Sequence, residues 1–406
     1  MRKWLRRLTV TALAAIVITI VASPGATGKY ATPKGNNRDL SFYRPPISDS
    51  PYPRTRAKRV KNVILCIGDG MGLSQVAVSR LKVAGRHGKL HMERMPVAGL
   101  VRTHSGNSLV TDSAASGTAL ASGVKTHNGM IGMTPDERVH VTIMEMAHAK
   151  GMATGLVVTS SITHATPACF AAHVPSRKME TQIAEQLIAG GVNVLLGGGR
   201  EFFLPQSAPG SARKDDRNLI AEAEAAGYTV VETVAQLRSA RHRRVLGLFQ
   251  LEALTTEPPE PTLAQLTRHA IGILKQRPLG TKGFFLMVEG SQIDWACHDN
   301  DLDAMVRQTL LFDQAVEAAI DFAMRDRRTL VIVTADHETG GLTFTDTNDG
   351  PDPKVNWSTK GHSGTPVPIY AFGPGAERFE GVCDNTEIPR RIAQLLDLRP
   401  FPQPTK

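Results

Sequence analysis

Six short, continuously apolar segments follow one another along the chain, and they restrict its fold more than any other feature. They read NVILCIG, ATGLVVT, VNVLLGG, FFLMVEG, TLVIVTA and VPIYAFG, in that order. Runs of this length, rich in β-branched residues, are typical of strands buried on both faces of a sheet. Amphipathic stretches lie between them, and the best of these, residues 301–325, keeps one apolar face throughout. This alternation predicts an α/β fold with a mostly parallel central sheet and helices on both faces.

The first 61 residues differ from the rest of the 406-residue chain. Four basic residues precede an apolar run from Leu8 to Ala22, and small residues follow it. This order predicts a signal peptide over residues 1–28, because the run is too short for a comfortable membrane span. A retained anchor is the alternative. Residues 29–61 are rich in Pro, Arg, Asn and Ser and predict an extended arm. We therefore expect an exported protein, periplasmic or secreted.

Charge and cysteine content exclude some classes of function. The formal net charge of +9 falls to +5 when the four basic residues of the leader are removed. This mild surplus suits anionic substrates and gives no argument for nucleic-acid binding. The four cysteines contain no CxxC pair and are too sparse for a disulfide scaffold, so their pairing stays open.

Polar side chains stand where three of the apolar segments end. Asp69 follows the first segment, Glu289 closes FFLMVEG, and Asp336 and His337 follow TLVIVT. The carboxyl ends of parallel strands meet at one edge of a sheet, which is where active sites of such folds gather. Grouped acids repel one another unless cations lie between them. The sequence therefore predicts a cation site at this edge.

Three further residues extend the candidate metal centre. Asp294 and His298 are four positions apart, so one helical turn places both side chains on the same face. His362 lies in a glycine-flanked loop before the last strand, where a surface histidine is the alternative interpretation. Mixed imidazole and carboxylate ligands suit a catalytic zinc ion with an open coordination position.

The segment LVTDSAASGTALASG has two interpretations. Asp112 or Ser113 is an ordinary N-cap before a helix of good helix formers. Alternatively, Ser113 is a nucleophile at the positive end of a helix, where an anion can bind.

The motifs GDGMG, TDSAASGTA, HATPACFAAHVPSRK, VEGSQIDWACH, TADHETGG and GHSG stand in the order found in alkaline phosphatases. From residue 62 to its end the chain resembles that family, which implies an alkaline phosphatase catalytic domain over residues 62–406. The resemblance also implies that Arg177, in VPSRK, clamps the substrate phosphate. The implied ligands are Asp294, His298 and His362 for a first zinc, Asp69, Asp336 and His337 for a second zinc beside Ser113, and Asp69, Thr166 and Glu289 for a third ion, usually magnesium.

Two departures from the family pattern bear on the metals and on assembly. Around the third site the chain carries His164 and Trp295, where some members carry aspartate and lysine. Losing an acid predicts a weaker magnesium site or a different preferred ion. The interval between His337 and His362 is short, which predicts a reduced crown insertion and leaves the familial homodimer open. The role of residues 205–261 is also open, and covering part of the sheet edge is one option.

The resemblance implies hydrolysis of phosphate monoesters to an alcohol and inorganic phosphate, by a two-zinc mechanism through a phosphoserine at Ser113. A phosphodiesterase of the same superfamily and a non-catalytic phosphate-binding protein are the alternatives. A sulfatase needs a Cys/Ser-x-Pro-x-Arg segment, which TDSAASG does not provide. We expect small phosphate monoesters and inorganic phosphate as partners, with no nucleic acid and no stable membrane partner after signal removal.

Overall fold

The computed structural model describes residues 35–55, 57, 59–239, 243–276, 282–346 and 353–403. The predicted signal peptide, residues 1–28, lies outside them. No helix within these ranges combines the length and apolar character needed to cross a membrane.

Strands and helices alternate along the described chain. The strands are β1 (Asn62–Gly68), β2 (Val97–Arg102), β3 (Ala153–Ser161), β4 (Val194–Gly198), β5 (Thr229–Val231), β6 (Val245–Leu248), β7 (Phe284–Gly290), β8 (Thr329–Thr334), β9 (Glu338–Thr339), β10 (Leu342–Thr345), β11 (Lys354–Trp357), β12 (His362–Ser363), β13 (Val367–Phe372) and β14 (Gly381–Asp384). The helices are α1 (Leu73–Ala84), α2 (Ser113–Ser122), α3 (Ile143–Ala149), α4 (Ala165–Ala171), α5 (Glu180–Ala189), α6 (Leu219–Ala225), α7 (Val234–Ser239), α8 (Leu263–Leu274), α9 (Gln292–Asp299), α10 (Leu302–Asp326) and α11 (Glu387–Leu396).

Within the described residues, ten strands form one sheet in the order β14-β2-β13-β8-β1-β7-β3-β4-β6-β5. All neighbouring pairs are parallel except those that β13 makes with β2 and β8. The predicted mostly parallel α/β sheet is therefore confirmed. The apolar segment VPIYAFG supplies β13, and its reversed direction is not encoded in its composition.

The core lies on both sides of the central strands. Strands β1, β3, β7 and β8 are buried along their whole length, as their continuous apolar sequences predict. Helix α10 packs against β1, β7 and β8, α8 packs against β3, β4 and β7, and α3 and α4 pack against β3 and β7. Asp301 caps α10 by accepting a hydrogen bond of 3.0 Å from the backbone N–H of Ala304, which explains where this long amphipathic helix begins.

The described part of the arm, from residue 35, contains no helix or strand and packs on α10. The hydroxyl of Tyr43 donates a 2.6 Å hydrogen bond to the buried carboxylate of Asp313 in α10. The segment 205–261 contributes α6, β5, α7 and β6, and its two strands extend the sheet beyond β4. That segment therefore builds one edge of the sheet. All four cysteines are buried and free.

The short interval between His337 and His362 folds into small antiparallel pairs. Strands β10 and β11 form one pair, and β9 and β12 form another. The second pair consists of two register partners only, which join His362 to Thr339 and Ser363 to Glu338. The interval thus places His362 next to the residues that follow β8.

Candidate active site

Three neighbouring parallel strands deliver buried acids and an imidazole to one edge of the sheet. Asp69 directly follows β1, Glu289 is the penultimate residue of β7, and Asp336 and His337 come just after β8. All four side chains are completely buried. The side chains that the sequence pattern predicts at the strand ends do converge.

Asp294, His298 and His362 form a first cluster of potential metal ligands. Nε2 of His298, one turn after Asp294 in α9, lies 3.3 Å from the Asp294 carboxylate. Nε2 of His362 lies 3.6 Å from the same carboxylate and 3.2 Å from Nε2 of His298. The Nδ1 atoms face the carbonyls of Lys360 and, at 2.8 Å, Thr111. Donation from each Nδ1–H leaves both Nε2 lone pairs directed at the cluster, as metal-ligating histidines require.

Asp69, Asp336 and His337 form a second cluster next to Ser113. Nε2 of His337 lies 3.2 Å from Asp336, 3.5 Å from Asp69 and 3.3 Å from Oγ of Ser113. The hydroxyl of Thr339 lies 2.5 Å from the Asp294 carboxylate, to which it donates, and 3.2 Å from Nδ1 of His337. One hydroxyl thus connects the two clusters and orients the His337 ring.

Asp69, His164 and Glu289 form a third cluster, which shares Asp69 with the second. Thr166, in the first turn of α4, is buried, and its hydroxyl makes no close hydrogen bond within the described part of the chain. His164 precedes α4, and its ring lies edge-on to Trp295 with centroids 6.0 Å apart. The geometry therefore brings His164 itself within reach of a shared cation, whereas the sequence pattern suggests only an outlying role for it.

The carboxylates of these clusters need positive charge. Both oxygens of Asp69, both oxygens of Glu289 and one oxygen of Asp336 are buried and receive no hydrogen bond from the residues that the structure describes. Burial and repulsion from Asp294 raise the pKa of Asp336 to about 7. Burial, together with the charge of Asp336, raises the pKa of Glu289 to about 8. Buried carboxylates in this arrangement are stabilised by coordination to cations, so the clusters fit divalent metal ions.

Ser113 is the first residue of α2, and Asp112 is its N-cap. One oxygen of Asp112 accepts a 2.9 Å hydrogen bond from the backbone N–H of Ala115. Every residue of α2 is buried, so its small side chains permit close packing beneath the metal ligands. The capping interpretation is therefore correct for Asp112, and it leaves Ser113 beside His337 at the positive end of the helix.

Arg177 lies against the same site, although nothing in the local sequence distinguishes it from an ordinary loop charge. Its guanidinium donates to Asp112 at 3.3 Å, and its other terminal nitrogen lies 3.1 Å from Nε2 of His164. A cavity of about 310 Å³ opens in front of Arg177 and Ser113. Its lining comprises Ser113, His164, Arg177, Lys178, Glu180, Asp294, Trp295, His298, Asp299 and His362.

Several residues that support the site are not among those that the sequence pattern predicts. Thr339 connects two clusters, and Ser116 donates a 2.7 Å hydrogen bond to the backbone carbonyl of Asp336. Lys178 and Asp299 line the mouth of the cavity. Thr339 and Ser116 lie within the motifs TADHETGG and TDSAASGTA, and their position in these motifs is the feature that could have identified them. Lys178 and Asp299, in contrast, resemble ordinary surface charges.

A mostly parallel α/β sheet with three groups of potential cation ligands gathered at one edge, beside a cavity with a serine at a helix N-terminus, is the arrangement of a divalent-metal-dependent hydrolytic enzyme. The family profile described as alkaline phosphatase matches residues 60–353 and 351–398. The chain belongs to the alkaline phosphatase family, and its activity is the hydrolysis of phosphate monoesters.

Individual relatives agree with this assignment over most of the chain. Alkaline phosphatase 4 of Bacillus subtilis is 36% identical over 421 residues, which cover 83% of this chain and 89% of the relative. The structure of alkaline phosphatase from the Antarctic bacterium TAB5 superposes with a TM-score of 0.77 at 36% identity, covering 86% of this chain and all of that one. A histidine-to-aspartate variant of the TAB5 enzyme, with magnesium bound in its M3 site, gives a TM-score of 0.75 at 35% identity with the same coverage.

Proposed function

We propose that the chain hydrolyses phosphate monoesters with Ser113 as the nucleophile and two zinc ions as cofactors. The observation that carries this proposal is the position of the Ser113 hydroxyl, 3.3 Å from Nε2 of His337 at the edge of the second cluster. Asp294, His298 and His362 would hold one zinc ion, and Asp69, Asp336 and His337 the other. Mixed imidazole and carboxylate donors are those that catalytic zinc prefers.

The metal ions, when bound, lower the pKa of neighbouring hydroxyl groups and neutralise charge on the entering and leaving oxygens of the displacement. The protein supplies the nucleophile and its orientation. Oγ of Ser113 forms a bond to phosphorus while the bond from phosphorus to the alcohol oxygen breaks, and the alcohol leaves with a proton. Water then cleaves the phosphoserine and releases inorganic phosphate. The free N–H groups at the start of α2 stabilise the anion throughout.

Arg177 would hold two oxygens of the transferred phosphoryl group. Its planar guanidinium can donate two parallel hydrogen bonds, a geometry that lysine cannot reproduce. Asp112 and His164 contact its terminal nitrogens, so the side chain is oriented before substrate binds. A second ester group on phosphorus would occupy one of these oxygens, which favours monoesters over diesters as substrates.

A third ion, usually magnesium in the family, would be held by Asp69, Glu289 and Thr166. We expect this site to bind magnesium weakly or to prefer another divalent ion, because His164 contributes a neutral imidazole where an acid would add negative charge. Burial lowers the pKa of His164 to about 3, so its ring is neutral. The magnesium-bound TAB5 variant, which carries aspartate in place of a histidine, supports this view. Tight, stoichiometric magnesium binding beside two zinc ions would contradict it.

We further propose that residues 1–28 are a signal peptide and that the mature protein is periplasmic or secreted. The basic start and short apolar run support this proposal. Residues 29–61 would then form an arm ahead of a catalytic domain over residues 62–406. Mass spectrometry of the mature N-terminus would test the cleavage position near residue 28.

The test of the mechanism is hydrolysis of an aryl phosphate before chelation, after chelation and after zinc is restored. We expect chelation to abolish turnover and zinc to recover it in the wild type. Ser113→Ala should show no burst of the aryl alcohol and at least a thousandfold lower turnover. Ser122→Ala is the matched control, because it removes a buried hydroxyl from the same helix. That hydroxyl donates a hydrogen bond to the backbone carbonyl of Thr118. Equal activity of Ser113→Ala and Ser122→Ala would contradict the proposal.

A bis-aryl phosphate tests the preference for monoesters. A monoesterase should hydrolyse the monoester much faster than the bis-ester. A preference for the bis-ester would support a phosphodiesterase. Binding of inorganic phosphate with no turnover of either compound would support a phosphate-binding protein.

A further inference from the structure

Glu338, next to His337, carries a buried carboxylate that is only 4% exposed. It lines no part of the cavity and belongs to none of the three ligand clusters. Four donors nevertheless satisfy its two oxygens. They are Nε2 of Gln75 at 2.7 Å, the backbone N–H of Leu342 at 3.1 Å, the backbone N–H of Gly341 at 3.1 Å and the hydroxyl of Ser363.

These donors come from three separate parts of the chain. Gln75 lies in α1 and is completely buried, the two backbone donors lie in the turn after β9 and at the start of β10, and Ser363 lies in β12 beside His362. The carboxylate therefore joins the strand that carries His362 to the helix and turn around β9. Hydrogen bonds to a charged acceptor are stronger than those between neutral groups.

His362 needs such an anchor because its own strand is weakly held. Strands β9 and β12 share only two register pairs, and an isolated ladder of that length has little stability of its own. The ring of His362 nevertheless stacks on that of His337, with centroids 3.6 Å apart, and reaches Asp294. The bond from Ser363 to Glu338 fixes the backbone one residue away from this ring.

We propose that Glu338 is a positioning residue that holds His362 in place for the cation bound with Asp294 and His298. The inference rests on the metal assignment proposed above. Removal of a side chain that supports a ligand typically weakens metal binding by about 10–100-fold. We expect a loss of that size for the Asp294 cluster and none for the Asp69 cluster.

Two variants interrupt this connection in different ways. Ser363→Ala removes the bond between Glu338 and β12, together with the contacts of the Ser363 hydroxyl with Thr365, and leaves the other three donors of Glu338 in place. Glu338→Gln keeps the side-chain shape but turns one acceptor into a donor, which then faces an N–H or O–H group. Ser363→Thr retains the hydroxyl and should restore wild-type zinc affinity.

The experiment is a calorimetric zinc titration of the chelated, full-length protein in two backgrounds. His337→Ala leaves the Asp294 cluster as the zinc site under test, and His362→Ala leaves the Asp69 cluster. Ser363→Ala should weaken zinc binding at least tenfold in the His337→Ala background and leave it unchanged in the His362→Ala background. Glu338→Gln should behave in the same way.

A purely structural role would give a different result. Asp313→Asn is the matched control, since Asp313 is a buried carboxylate that accepts three hydrogen bonds far from the site, from Tyr43 and from the backbone of His91 and Met92. It should lower the melting temperature without changing zinc affinity. Unchanged affinity for Ser363→Ala in the His337→Ala background would overturn the inference. Absence of zinc binding in the His337→Ala background itself would instead overturn the metal assignment, and the inference with it.

Discussion

Gly70, between Asp69 and the start of α1, is a position at which a single added methyl group should damage the site. Its backbone has φ +73°, and a Cβ placed there would lie 2.8 Å from the Cα of Asp294 and 2.8 Å from the hydroxyl of Thr339. Carbon atoms in contact are normally about 3.5–4.0 Å apart. Gly70→Ala must therefore push α9, and Asp294 with it, away from Asp69.

The loss of folding stability expected for Gly70→Ala has two parts. The left-handed backbone costs a non-glycine residue about 1–2 kcal/mol, and forcing an extra group into a packed region costs about 1–3 kcal/mol. Gly227→Ala is the matched control, because Gly227 has φ +87° and an added Cβ there would meet nothing within 4 Å. We expect Gly70→Ala to lower the free energy of unfolding by about 2–5 kcal/mol and Gly227→Ala by about 1–2 kcal/mol.

Activity should separate the two variants more strongly than stability. A displacement of about 1 Å in a catalytic group can reduce rates about a hundredfold, so kcat/KM of Gly70→Ala on an aryl phosphate should fall by that order. Gly227→Ala should retain the wild-type value. Urea unfolding and steady-state kinetics measure both quantities. The reasoning would be refuted if Gly70→Ala and Gly227→Ala lost the same free energy of unfolding and Gly70→Ala kept the wild-type kcat/KM.

Three further outcomes follow from the same geometry. Arg177→Lys should lower kcat/KM by about 10–100-fold and weaken inhibition by phosphate, because one point charge replaces two parallel donors; an unchanged inhibition constant would contradict the assigned clamp. Tyr43→Phe should lower the free energy of unfolding by about 1–3 kcal/mol with normal kinetics, because it removes a donor from buried Asp313. In the chelated protein, the melting temperature should fall as the pH rises from about 4.5 to about 8. Glu289 has a pKa raised to about 8 in the folded state, so it stays protonated there after it has ionised in the unfolded chain. Restoring zinc together with a divalent ion for the Glu289 cluster should remove that dependence, and a melting temperature of the chelated protein that rises over this range would contradict it.

The central strands and the ligands at their ends could be predicted from sequence because each depends on local pattern. Apolar runs such as Asn62–Gly68 identify buried strands, and the rule for parallel sheets then places Asp69 and Asp336 together. The spacing of Asp294 and His298 requires only one helical turn. These inferences need no knowledge of the path of the chain between the elements.

Other features depend on that path and could not be predicted in the same way. Strands β5 and β6 are three and four residues long, too short for a periodicity signal, and they are defined by pairing beyond β4. Arg177 is a loop charge whose function depends on its approach to Asp112 and His164. Thr339 acts through hydrogen bonds that exist only because β9 returns beside α9.

In the cavity in front of Ser113, the groups proposed to bind substrate, Arg177 and the cluster side chains, all act on its phosphoryl group. With these roles, inorganic phosphate would keep each contact that the phosphoryl group of the substrate makes and would lose only those of the departing alcohol. The product therefore competes with every substrate at the same place, whatever alcohol that substrate carries. Turnover in such a site slows as free phosphate accumulates, so the enzyme works fastest where its own product is scarce.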